Sequence, residues 1–144
     1  MVGTITVTEG EFAGWLTWDL KGTFDQTVGP FYFRIEEDGR ARSAFRAEPH
    51  HMNAGGRMHG WALMTFADIA LFQTAYNEME GRNGVTIQLE SNFIDGAYVG
   101  ELVEATGEVV RAGGSLVFVR GQITASGRTL MTYSGIIRRF TPKD

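Results

Sequence analysis

WALMTFADIALFQTAYN, residues Trp61 to Asn77, contains neither proline nor glycine and is built largely of strong helix formers. Its apolar residues fall around almost the whole circumference, the pattern of a helix buried on all sides rather than laid on a surface. Thr65, Asp68, Gln73 and Thr74 interrupt it, so the stretch is too short and too polar to span a bilayer. Gly81 and Gly84 close the region.

Strands are expected on both sides. Downstream, Val85, Ile87, Leu89 and Phe93 alternate with Thr86, Gln88, Glu90 and Asn92, which places Thr86 on the polar face. Val103, Ala105, Gly107 and Val109 alternate with Glu104, Thr106 and Glu108. Turns at 112–115 and 126–127 lead into Leu116–Ala125 and Thr129–Phe140, a long hairpin. Upstream, Phe31, Phe33 and Ile35 alternate with Tyr32, Arg34 and Glu36. Asp38-Gly39 then turns the chain back into Ala41–Arg46. Pro49 breaks that pattern, and residues 50–58 read as a loop. Near the start, Thr8-Glu9-Gly10-Glu11 has capping-box spacing, and with Phe12, Trp15 and Leu16 predicts a short helix. One helix apolar all round and about six mostly antiparallel strands have a natural solution, an α+β hotdog fold in which the sheet wraps the helix. A single domain over residues 1–144 is expected.

Composition narrows the function classes. The chain has 144 residues, 43% hydrophobic and 21% charged, with a formal net charge of −4. Its basic residues are scattered, whereas a nucleic-acid binder concentrates them on one face. With no cysteine, disulfides, thiolate nucleophiles and Cys-based zinc sites are excluded. The first residues lack the basic start and apolar run of a signal peptide, so a cytoplasmic location is expected, with no membrane partner.

Asp68 is the formally charged side chain of the stretch from Met58 to Asn77, His59 aside. A carboxylate in a buried helix is costly unless it is paired, hydrogen-bonded or facing a cavity. Two roles fit: a structural Asp bonded to a neighbouring strand or subunit, or a nucleophile or general base in a pocket. The preceding loop, Asn53-Ala54-Gly55-Gly56-Arg57-Met58-His59-Gly60, runs directly into the helix. Free N–H groups and the positive end of the helix dipole suit a developing oxyanion there. A tight glycine-rich connection braced by His59 would carry the same residues. Thr86 could hold a water or simply decorate a strand. His50, His51 and His59 do not have zinc-ligand spacing, and no nucleophile elbow or phosphate loop is present; neither metal nor cofactor is expected.

The string Asn53-x-x-Gly56-x-x-His59-Gly60, followed by Asp68, resembles the hotdog-fold acyl-CoA thioesterases of the phenylacetate-degradation type. The likeness continues through Val85–Leu89, Asn92-Phe93 and Gly100-Glu101 and covers roughly residues 48 to 140. It implies hydrolysis of an acyl-CoA thioester, with Asp68 as nucleophile or general base and the Gly60 N–H polarising the thioester carbonyl. Asn53 would place the thioester or water, His59 would support the loop, and Thr86 would orient water or the carboxylate. The resemblance also implies a homodimer with sites shared between subunits, and a dimer of dimers, a homotetramer. Two positions depart from the family pattern: Trp61, where a second glycine is usual, and Gly96, where proline is frequent. Arg57, Arg111 and Arg139 are candidate CoA contacts, though ordinary surface roles suit each better. The alternative is a non-catalytic acyl-CoA sensor; a hydratase would need histidine motifs that the chain lacks.

Overall fold

A computed structural model describes residues 3–141. The element order is β1 (Thr4–Thr6), β2 (Leu16–Trp18), α1 (Phe24–Val28), β3 (Tyr32–Ile35), β4 (Ala41–Arg46), a 3₁₀ turn (Pro49–His51), α2 (Gly60–Thr74), β5 (Asn83–Phe93), β6 (Leu102–Ala112), β7 (Leu116–Ala125) and β8 (Arg128–Phe140). The eight strands of the described residues form one antiparallel sheet in the order β1-β2-β3-β4-β6-β7-β8-β5. The sheet packs around α2, which touches β4 through β8. This is the hotdog arrangement expected from the central helix. At its core Phe66 is fully buried, with ring centroids 5.4 Å from Phe31 and 4.7 Å from Phe45, so large aromatic surfaces fix the helix to the sheet.

The sheet has eight strands, not six, because the first segment is not a helix. Val7 and Trp15 pair across a hairpin, with Val7 N–H donating to the Trp15 carbonyl at 2.8 Å. Gly10 and Gly14 adopt φ of 82° and 88°, a left-handed backbone that bends the tip and that other residues resist. The spacing of Phe12, Trp15 and Leu16 instead reflects the tip folding back: Phe12 is buried and stacks on Tyr32 at 4.2 Å.

Two further differences shape the site. First, α2 is not covered all round. Ala62, Leu63, Phe66, Ala67, Ala70 and Leu71 are buried, whereas Trp61 is 69% exposed and Met64, Thr65, Asp68 and Phe72 are half-buried. These five lie on one stripe of the helix. Second, β5 does not keep a single alternation. A bulge between Thr86 and Gln88 leaves Ile87 as an extra residue, which reverses the facing of everything after it. Thr86 therefore turns toward α2, Val85 and Ile87 point outward at 48% and 53% exposure, and beyond the bulge Leu89 packs on the core while Ser91 reaches the Met64 sulfur.

Candidate active site

Asp68 lies in the middle of α2 and is half-buried. Across from it, the Thr86 hydroxyl donates to Asp68 Oδ1 at 2.5 Å. Placement of Thr86 on the polar face is thus corrected: the bulge turns its side chain inward onto the carboxylate. The bond supplies a charge-assisted partner, so Asp68 is held in one orientation.

The other expected residues gather at the start of α2. Asn53 Oδ1 accepts from the N–H groups of Gly55 (2.9 Å) and Arg57 (3.1 Å), which closes the loop into a compact turn. Met52 and Met58 bridge the loop ends. His59 caps the helix: its Nδ1 accepts from the Trp61 N–H at 3.0 Å. Gly60 is the first helical residue, and its N–H has no acceptor among the described residues, as first-turn donors lack intrahelical partners. A Cβ on Gly60 would sit 3.2 Å from the Phe93 ring. Trp61 is exposed at the surface instead of packing into the core.

The loop is buttressed from both sides. His51 is buried; its Nδ1 accepts from the Glu48 N–H at 3.0 Å, and its Nε2 donates to the Val28 carbonyl at 2.6 Å. Burial pushes its pKa down, so the ring is held in one neutral tautomer. On the other side, the Met58 N–H donates to the Ala97 carbonyl, and Arg57 pairs with Asp95 at 2.8 Å. Arg128 joins Asp95 (3.2 Å) to Glu101 (2.9 Å). The Arg128 hydrogen bonds, above all, hold Glu101 down to about 2. Gly96 fits this packing: a Cβ there would stand 3.3 Å from the Arg57 stem. The departure from proline at position 96 is therefore matched by Arg57 lying against the loop.

Of the three arginines considered for CoA, Arg57 is tied to Asp95 and stacks over Tyr98, 5.0 Å from its centroid, and Arg111 is exposed. Arg139 is not a surface residue. It is 7% exposed and donates to the carbonyls of Glu78 and Gly113, so it staples the end of β8 to the turn after α2.

Asp68 and Thr86 meet, but Gly60 lies eight residues away on the same helix, about 12 Å along its axis at 1.5 Å per residue. Within one protomer the carboxylate and the free N–H do not face each other. Asp68 opens instead onto a cleft of about 440 Å³ with walls that include Trp18, Leu20, Phe72, Tyr76 and Met79. Asp25, from α1, lines the same cleft. The sequence reading missed this N-terminal contribution, since five helical residues leave no periodic signal. A larger hollow, about 800 Å³, lies elsewhere, on the sheet face crossed by the Arg42–Glu36 and Arg120–Glu108 ion pairs. It contains none of the expected site residues.

A hotdog sheet with a carboxylate on its central helix defines a class, and comparison with known proteins agrees. The model of the thioesterase superfamily matches residues 55–142. The Pseudomonas aeruginosa protein PA0474 is 29% identical over 110 residues, covering 76% of this chain and 82% of its own. Human acyl-coenzyme A thioesterase 13 is 24% identical over 109 residues, 74% of this chain and 78% of its own. Among solved structures, the Escherichia coli PaaI protein of the phenylacetic acid degradation operon superposes with a TM-score of 0.72 at 18% identity. It covers 83% of this chain and 85% of its own. The chain belongs to the thioesterase superfamily and is a thioester hydrolase. No helix among the described residues is long and apolar enough to cross a membrane.

Proposed function

We propose that the protein hydrolyses acyl-CoA thioesters at a site shared by two copies of the chain. The observation that carries this reading is the Asp68–Thr86 pair, fixed at 2.5 Å and opening onto a largely apolar cleft. A carboxylate oriented by a hydroxyl can attack the thioester carbonyl or take a proton from attacking water. The acyl chain occupies the cleft between Trp18, Leu20, Phe72 and Tyr76. The thioester oxygen is received by the Gly60 N–H at the positive end of α2, with the Asn53 turn and His59 cap holding that N–H in place.

Because Gly60 and Asp68 are about 12 Å apart along one helix, the N–H that serves Asp68 comes from a second copy. Two features support this pairing. β5 is an eleven-residue edge strand, hydrogen-bonded on one side by β8 and open on the other, a ready template for pairing. Beside it, outward Val85, Ile87 and Phe93 and the half-open stripe of α2 present apolar surface to a partner. A dimer of dimers is the further assembly we expect. Acetyl-CoA is bound in the related smu.793 structure from Streptococcus mutans, with a TM-score of 0.70 at 17% identity over 81% of this chain and 93% of its own, which supports CoA as the carrier.

The test measures thiol release from a panel of aryl- and fatty-acyl-CoA thioesters. Asp68→Asn keeps shape and hydrogen bonding but removes the charge, and should lower kcat by about 10²–10⁴-fold. Binding of acyl-CoA without thiol release in the wild type would leave the sensor alternative. Full activity in Asp68→Asn would refute the residue assignment.

A further inference from the structure

The cleft beside Asp68 contains a second carboxylate that the thioester chemistry does not require. Asp25 stands in the first turn of α1, capped by the Thr23 side chain, and lines the cleft with Asp68. It is half-buried, with no ion pair or side-chain hydrogen bond among the described residues. Among the described residues, no Lys, Arg or His lines the cleft. Lys21 and Asp19 sit in a smaller adjoining hollow that Asp25 also borders. Burial, and then the nearby charge of Asp68, push the Asp25 pKa up. The rest of the lining is mainly aromatic and aliphatic: Trp18, Leu20, Phe72, Tyr76 and Met79 among them.

An acyl tail entering this cleft passes an apolar wall and meets negative charge. A hydrocarbon tail gains from the wall and carries no charge for the aspartates to repel. A tail ending in a carboxylate is repelled by both aspartates and meets no cation among the described residues that line the cleft. We propose that Asp25 is a specificity-determining residue that sets the charge class of the substrate, admitting uncharged acyl groups and rejecting those that end in a carboxylate. The inference rests on the acyl-CoA reading of the site, and it assigns a role to the N-terminal segment, upstream of the family-matched residues 55–142.

The experiment separates binding from turnover. Two non-hydrolysable thioethers of matched length, S-hexyl-CoA and S-(5-carboxypentyl)-CoA, are titrated calorimetrically at pH 8 into wild type, Asp25→Asn and Asp25→Ser. Release of thiol from hexanoyl-CoA is followed in parallel. Wild type should bind the uncharged thioether at least about tenfold more tightly, as expected for like charges several ångströms apart in a partly exposed cleft. Both variants should narrow that ratio to about threefold or less by tightening the carboxylated ligand more than S-hexyl-CoA. Equal binding of the two ligands by wild type, or an unchanged ratio in both variants, overturns the inference. Selective binding without thiol release refutes hydrolysis and leaves the charge selection standing. Thiol release with unselective binding does the reverse.

Discussion

Replacing Thr86 by valine removes one hydroxyl and little else, because the two side chains are nearly isosteric. In the protein that hydroxyl donates to Asp68 Oδ1 at 2.5 Å, and both residues are half-buried. A hydrogen bond to a charged group is worth about 1.5–3 kcal/mol. Half-burial lets water replace part of it, so the lower half of that range applies, about 1.5–2 kcal/mol. If the bond holds Asp68 in its reactive orientation, that energy is lost from the transition state, and each 1.4 kcal/mol is tenfold in rate. Thr86→Val should therefore lower kcat about 10–30-fold, with KM changed much less, since the hydroxyl is not part of the acyl cleft lining. Thr86→Ser, which keeps the donor, should recover most of the rate. Steady-state thiol release with a medium-chain acyl-CoA gives both constants. Valine and wild-type kcat agreeing within twofold would refute the positioning role, and the inward turn of Thr86 at the bulge would then serve packing alone.

Two more outcomes follow from the site and its supports. Gly60 can be tested through its N–H: His59, with φ −61° and ψ 136°, already has the extended backbone that precedes proline, and proline is welcome at the first helical position. Gly60→Pro should stay folded by circular dichroism yet lose about 10²–10³ in kcat as an oxyanion donor disappears. Gly60→Ala keeps the N–H and only nudges the exposed Phe93 ring, so it should stay within about tenfold of wild type; an active proline variant would remove Gly60 from the mechanism. Glu101, held down to about 2 by Arg128, has a folded pKa below its ordinary value. Its stabilisation is complete above about pH 4.5 and is lost as pH falls toward 2. Allowing for the partial exposure of Arg128, Glu101→Gln should cost about 1–2 kcal/mol at pH 7. Thermal melts at fixed protein concentration should show that difference shrinking toward zero near pH 2; a gap independent of pH would refute the linkage.

The fold was legible where one physical signal dominated. The proline-free, glycine-free run of α2 announced a buried helix, and β3 to β8 each declared themselves through alternation or turn residues. The N-terminal hairpin did not. Phe12, Trp15 and Leu16 have spacing compatible with a helix, and only the backbone geometry of Gly10 and Gly14 reveals a turn. The bulge in β5 was equally silent. Val85 to Phe93 can be read with a single alternation, yet an unpaired Ile87 changes which residues face α2. At the site, Asp68 drew notice as a charge in an apolar helix, but its partner was assigned to the wrong face for that same reason. Asp25 gave no local signal, because only the fold brings α1 against α2 and into the same cleft as Asp68.

On the proposed mechanism, the open stripe of α2 and the bulge answer one requirement. A carboxylate that acts there as nucleophile or base would have to be charged, and the apolar core would penalise that charge severely. Rotating Asp68 onto a half-covered stripe keeps it near solvent and substrate, while the bulge supplies a hydroxyl to stabilise and aim it. The cost is that Trp61, Val85, Ile87 and Phe93 stay exposed in the lone protomer. On the proposed dimer those residues are the interface, and covering them brings a second Gly60 toward Asp68. Catalysis and assembly would then be inseparable. Dilution or a charged substitution on the outward face of β5, such as Ile87→Lys, would lower activity with Asp68 and Thr86 both intact.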